Sequence, residues 1–146
     1  MTVIFKNEVP YIEEVNLNTL VKQVPTPFYV YSQKSIEEAY FEIKNKLKKK
    51  IFYSIKANSN QAVIAFINSL GAGADVVSME EMQRALSAGI NPNKIIYEGV
   101  GKSQSDIMHA IQKNIRQINV ESLEELLQIN TIGKNINKIV NIGLRL

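Results

Sequence analysis

The chain has 146 residues, 45% of them hydrophobic and 21% charged, enough for one globular unit with a core of its own. It contains no cysteine and one histidine, which excludes disulfides, thiolate metal sites and a histidine-based metal cluster. The net charge of +3 and pI near 9.0 would suit an anionic partner, but the excess is concentrated in Lys44, Lys46, Lys48, Lys49 and Lys50. These lie at the end of a predicted helix, where cations complement the helix dipole, and no aromatic residues interleave with them as stacking platforms for nucleic acid.

The first ten residues carry Lys6 and Glu8 in place of the apolar centre of a signal peptide, and no run reaches the length of a membrane span, so a cytoplasmic location is expected. Val15, Leu17 and Leu20 mark a short element before Gln23. Val24-Pro25-Thr26-Pro27 is stiff and extended, because each proline fixes its own φ and restricts its predecessor. Phe28 to Tyr31 then reads as a strand. Ser35 with Glu38 spells a capping box, followed by Ile36, Ala39, Tyr40, Ile43 and Leu47 at the spacing of a one-sided helix.

The next stretch, Ile51-Phe52-Tyr53-Ser54-Ile55-Lys56-Ala57-Asn58, is a short apolar run that stops on a lysine. Strand alternation puts Phe52, Ser54 and Lys56 on one face, with the ammonium at the strand's carboxyl end, where α/β barrels carry their catalytic groups. A lysine there either reaches into water or, desolvated, offers a neutral amine to a carbonyl. Position leaves both readings open.

From here one grammar repeats. Asn58 or Ser59 caps a helix through Leu70; Ser78 with Glu81 opens a helix that stops at Gly89; Ser103 with Asp106 and Ser122 with Glu125 open two more. Strands are expected at Phe52–Lys56, Ala74–Val77, Lys94–Tyr97, Gln117–Val120 and Ile139–Arg145. Strand and helix alternating at just over 20 residues argue for parallel βα units, either in a barrel or in an open doubly wound sheet. No G-x-G-x-x-G follows a strand, which weighs against a dinucleotide fold. On the last strand Val140, Ile142, Leu144 and Leu146 form an apolar face for helices to cover, opposite Asn141, Gly143 and Arg145. One face of the sheet thus gathers Lys56, Asp75, Asn119 and Arg145, either a mutually paired polar interior or a cofactor cavity.

Six motifs in register carry a family resemblance. Thr26-Pro27-Phe28-Tyr29-Val30-Tyr31 resembles a T-P-hydrophobic-Y-V-Y lead-in, Tyr53-Ser54-Ile55-Lys56-Ala57-Asn58 resembles Y-A-V-K-A-N, and Gly73-Ala74-Asp75-Val76-Val77-Ser78 resembles G-A-D-V-V-S. Glu98 to Ser103 is similar to G-N-x-K-S, Ile118 to Ser122 to I-N-V-E-S, and Leu144-Arg145-Leu146 to the start of L-R-x-N-P. The set resembles the fold-type III decarboxylases that depend on pyridoxal 5'-phosphate.

That resemblance selects the barrel: about five βα units of a (β/α)8 TIM-type, alanine racemase-like barrel, with residues 1–31 as a lead-in, 32–146 as an incomplete cofactor-binding barrel and no carboxyl-terminal β domain. It implies that Lys56 holds pyridoxal 5'-phosphate as the catalytic lysine and that Asp75 and Arg145 lie around the cofactor's lysine end, with Asn119 near them. The reaction implied is loss of carbon dioxide from meso-2,6-diaminopimelate to give L-lysine; ornithine, arginine and carboxynorspermidine decarboxylation are the alternatives within the fold. The chain reads as a piece of such an enzyme, ending inside a motif. It is expected to be inactive alone, to act with a completing chain or as a homodimer, or else to persist as a non-catalytic cofactor-binding remnant. His109 lies on an amphipathic helix rather than in a motif that would place it on the cofactor ring, so it is expected at a surface or boundary position. Lys102, in the loop after the third βα strand at the carboxyl end of the sheet, is expected either to approach the site or, the favoured reading, to position its loop.

Overall fold

The computed structural model describes residues 3–145. Its contacts divide the chain into two units, Met1–Leu47 and Lys48–Leu146. In the first, β1 (Ile4–Lys6), β2 (Val9–Ile12) and β3 (Val15–Asn16) form an antiparallel meander. Asn7 and Glu8, both at positive φ, make the two-residue hairpin turn whose twist matches the strands it joins. Asn16 then caps α1 (Leu17–Gln23), accepting the Asn18 N–H at 2.8 Å.

The residues Phe28–Tyr31 do not form the expected strand; a strand needs a ladder partner, and none pairs with them among the described residues. Tyr29 is 89% exposed. Nor do Ser35 and Glu38 open α2 (Gln33–Leu47). Its first free N–H groups are met three residues earlier: Ser32 Oγ accepts the Ser35 N–H and donates to Glu13, whose carboxylate also takes the Lys34 N–H. Those bonds, the Ser32 hydroxyl foremost, hold the Glu13 carboxyl below its ordinary range.

The second unit is a five-stranded parallel sheet in sequential order: β4 (Phe52–Ser54), β5 (Gly73–Val76), β6 (Ile95–Tyr97), β7 (Gln117–Val120) and β8 (Ile142–Leu144). The helices between them are α3 (Gln61–Ser69), α4 (Met79–Ser87), α5 (Gln104–Gln112) and α6 (Leu123–Asn135). A doubly wound sheet reverses its strand order, whereas this one runs straight through, as a barrel wall does.

Alternation explains which face is dry. Ala74, Val76, Ile95, Tyr97, Ile118 and Val120 point one way and are buried against Ile64, Met82, Ala85, Ile107, Ile129 and Ile132 of the helices. Each large aliphatic buried there contributes about 1.5–3 kcal/mol. The expected caps at Ser78, Ser103 and Ser122 are present, with the full reciprocal box only at Ser103 and Asp106. At α4 and α6 the acidic residue reaches one position further back, Glu81 to the Val77 N–H and Glu125 to the Glu121 N–H. The α3 cap is Asn60, not Asn58 or Ser59; its side chain takes the Ala62 and Val63 N–H groups, while Asn58 braces the Asn60 N–H.

The outer face of β8 departs from expectation. Val140 packs on the core, but Leu144 is 65% exposed. A barrel strand is covered by helices on both flanks, and the described residues supply α6 on one flank only; Leu146 lies outside them. Among the described residues no helix is long and apolar enough to cross a membrane.

Candidate functional site

The opposite face of the sheet carries the polar residues. Pairing sets Ser54 beside Asp75 and Asn119 beside Gly143, so side chains of the inner face meet at the carboxyl ends of the strands. There a cavity of about 370 Å³ is lined by Lys56, Asp75, Glu98, Asn119 and Arg145 together with Val77, Gly99 and Leu144. The four polar residues expected to share a face, Lys56, Asp75, Asn119 and Arg145, do line one space.

Lys56 reaches it by a different route from strand alternation. β4 ends at Ser54, and Ile55–Ala57 form a 3-10 turn closed by the Asn58 N–H on the Ile55 carbonyl. Ile55 points into the core and is fully buried, which anchors the turn and leaves Lys56 exposed toward the cavity. The strand stops early because the chain must curl back toward Tyr53, whose hydroxyl donates to the Asn58 carbonyl at 3.0 Å. The Lys56 ammonium makes no hydrogen bond or ion pair among the described residues.

Asp75 is altered by its surroundings. Burial pushes its carboxyl above the ordinary range; the neighbouring Ser54 hydroxyl offsets this, Glu98 adds to it by repulsion, and Lys56 opposes it. Its Oδ1 and the Ser54 Oγ are both buried with no hydrogen-bond partner. Strand register sets the Ser54 hydroxyl, a donor, beside this carboxylate. Because the folded state holds this proton more tightly than the unfolded chain does, Asp75 costs stability above its raised folded value, and that cost disappears as pH falls to the ordinary carboxylate value near 4. An Asp75→Asn chain is therefore expected to melt higher than the native chain at pH 7 and to lose that advantage toward pH 4, which parallel thermal melts at the two pH values will check.

Glu98 completes the wall, and Glu121 and Glu125 bond to residues around it. Asn119 Nδ2 donates to Glu98 Oε1, and Gln117 Nε2 donates to Asn119 Oδ1 at 2.6 Å. Arg145, 62% exposed at the rim, donates to Glu121 Oε1 at 3.2 Å and stands 3.8 Å from Glu98 Oε2. Glu125 lies behind, bonded to Lys102. Sequence reasoning did not assign Glu98, Glu121 or Glu125 to the site, although all three sit inside quoted motifs or caps at strand-to-helix junctions, which is the signal that marks them. His109 is half-buried on α5, away from the cavity lining, with its Nε2 unpartnered. No cluster of histidine and acidic residues able to hold a metal occurs among the described residues.

Sequential parallel βα units with polar residues gathered at the strands' carboxyl ends define part of the wall of an α/β barrel. Residues 33–146 match the pyridoxal binding domain of the pyridoxal-dependent decarboxylases, and the chain belongs to that family. Among curated relatives it is 42% identical over 134 residues to the diaminopimelate decarboxylase of Helicobacter pylori, covering 90% of this chain and 33% of that protein. It is 36% identical over 144 residues to the enzyme of that name from Haemophilus influenzae, covering 97% and 35%. The crystal structure of the Helicobacter pylori diaminopimelate decarboxylase complexed with L-lysine superposes with a TM-score of 0.87 at 40% identity, over 90% of this chain and 34% of that one. The chain thus spans about a third of the length of the relatives it matches.

The residues present fit pyridoxal phosphate. An amine without an ion pair among the described residues, the Asp75 carboxylate and a guanidinium at the rim surround a space within the range of small-molecule sites, about 300–1,000 Å³.

Proposed function

We propose that this chain carries the lysine-bearing wall of a decarboxylase that acts on meso-2,6-diaminopimelate and releases L-lysine and carbon dioxide. Residues 32–146 form its cofactor-binding part and 1–31 its lead-in. The observation that carries this reading is the convergence of Lys56, which has no hydrogen bond or ion pair among the described residues, with the Asp75 carboxylate and the Arg145 guanidinium on one cavity. The names of the relatives support the substrate. A cytoplasmic location and pairing of two chains belong to the same proposal.

When bound, the cofactor supplies an electron sink for the carbanion left by departing carbon dioxide. The chain's own residues do the rest. Lys56 Nζ is the point of covalent attachment, a nucleophile presented on a rigid 3-10 turn rather than a mobile loop. Asp75, its carboxyl raised by burial, holds or passes a proton on the wall beside Lys56. Glu98 and Asn119 fix each other's orientation, and Arg145 sets a positive charge at the rim for an anionic group.

The test is incubation of the purified 146-residue chain with pyridoxal phosphate, reduction with borohydride and peptide mapping. Saturable labelling of Lys56 in preference to Lys44, Lys46, Lys48, Lys49 and Lys50 is the expected result. Labels scattered over these surface lysines would sink the proposal.

A further inference from the structure

The one fully buried cation among the described residues has no part in the chemistry above. The Lys102 side chain is 1% exposed and donates to three acceptors: the Gly99 carbonyl at 2.6 Å, the Asn119 carbonyl at 2.7 Å and Glu125 Oε1 at 2.8 Å. It also stands 5.5 Å from the centre of the Tyr97 ring, a phenol that burial keeps neutral by pushing it up to about 12. All three ammonium protons are therefore used, and no space remains for a ligand at Nζ.

What matters is where the three acceptors lead. The Gly99 carbonyl belongs to the residue after Glu98, so the first bond sets the loop that carries the Glu98 carboxylate. The Asn119 carbonyl belongs to the residue whose side chain holds Glu98 Oε1. Glu125 uses its second oxygen on the Glu121 N–H at 2.7 Å, and Glu121 in turn holds Arg145. Two paths thus run from Lys102 to one guanidinium, one through Glu98 and one through Glu125 and Glu121. Arg145 has no other side-chain bond among the described residues, and it reaches the cavity at a strand end where its own carbon stem is exposed.

We propose that Lys102 is a positioning residue for the cofactor cavity: it fixes the two carboxylates that aim Arg145 at the rim, and through Arg145 it sets the affinity of the site for the anionic end of its ligand. A lysine suits this role because a buried ammonium enforces three acceptors at once, and letting any one go leaves a charge unmet in a dry place. The inference rests on the cofactor reading given above.

The experiment is a double-mutant cycle read by covalent trapping at Lys56. Wild type, Lys102→Met, Arg145→Ala and the double variant are titrated with pyridoxal phosphate, reduced, and scored by mass for the half-saturating concentration. Each single variant is expected to raise that concentration roughly tenfold, and the double variant to stay within about twofold of the worse single, as residues in one network do. If the two effects multiply to roughly a hundredfold, Lys102 acts independently of Arg145 and the inference is overturned. Should Lys102→Met fail to fold by circular dichroism, Glu125→Gln replaces it in the same cycle; it keeps the side chain's shape and weakens the ammonium's hold, and the same non-additivity with Arg145→Ala is required. Absence of saturable Lys56 labelling in the wild type overturns the cofactor reading itself, whereas a saturable wild type with an additive cycle overturns only the role of Lys102.

Discussion

A Lys56→Ala chain is expected to take up no covalent pyridoxal phosphate above the background of surface lysines, while keeping the native chain's circular dichroism and melting temperature. The chain has 14 lysines, so 13 amines remain to compete, several of them as accessible as Lys56. Lys56 differs from them in context: it stands in a cavity with the Asp75 carboxylate and the Arg145 guanidinium, where a bound aldehyde would be held against it. Holding reactants together is worth orders of magnitude in effective concentration, so loss of labelling at site saturation by roughly tenfold or more is expected. Stability should change little, because the Lys56 side chain makes no hydrogen bond or ion pair among the described residues and loses only its attraction for Asp75, and the turn beneath it is anchored by Ile55 and Tyr53. Lys56→Arg, which keeps the charge but offers no amine nucleophile, should behave as Lys56→Ala does. Equal labelling of native and Lys56→Ala chains would remove the catalytic role from this residue.

Gly73→Ala is expected to be the most damaging single substitution for the fold. Gly73 opens β5 beside Phe52, and a Cβ placed there would fall against the Lys94 carbonyl oxygen and within 2.7 Å of Phe52 Cδ1. The first of these is backbone, held by the segment that leads into β6, and cannot swing aside as a side-chain end can. Inserting one carbon into such a position costs about 3 kcal/mol. For a unit of this size that corresponds to a fall of roughly 12–24 °C in the melting temperature. Gly101→Ala is the control: it lies at positive φ with nothing near its Cβ, so it is expected to cost only the backbone strain, about 1 kcal/mol. A thermal melt showing Gly73→Ala no worse than Gly101→Ala would mean that the sheet has room for a Cβ between β4 and the Lys94 carbonyl.

The order of elements was legible because its causes are local. A serine oxygen meets an N–H three residues on wherever it precedes an apolar helical stripe, so Ser78, Ser103 and Ser122 could be placed from spacing alone. The misplacements have causes that spacing does not contain. Ser32 displaces Ser35 as the cap of α2 because Glu13, 19 residues away, folds back to hold it. Asn60 displaces Asn58 because Asn58 is already spent on the Asn60 N–H. Phe28–Tyr31 has the composition of a strand, yet strand formation depends on a partner that no local rule supplies.

The site divides in the same way. Lys56, Asp75, Asn119 and Arg145 were found because period-two alternation and strand ends are written in the sequence, and the family match then secured the fold class and cofactor. Lys56 in fact reaches the cavity from a 3-10 turn, so the expected position was right and the alternation that led to it was not. By itself the sequence determined the parallel βα plan and the polar inner face, since these follow from periodicity, while the choice of Lys56 as a reactive lysine came from the family motifs and not from its position. Only the tertiary structure decided that Glu98 joins the wall, that Glu121 holds Arg145 and that Lys102 ties these groups together through Glu125. Those facts depend on the register between strands 20 or so residues apart, and register is set by how whole elements pack.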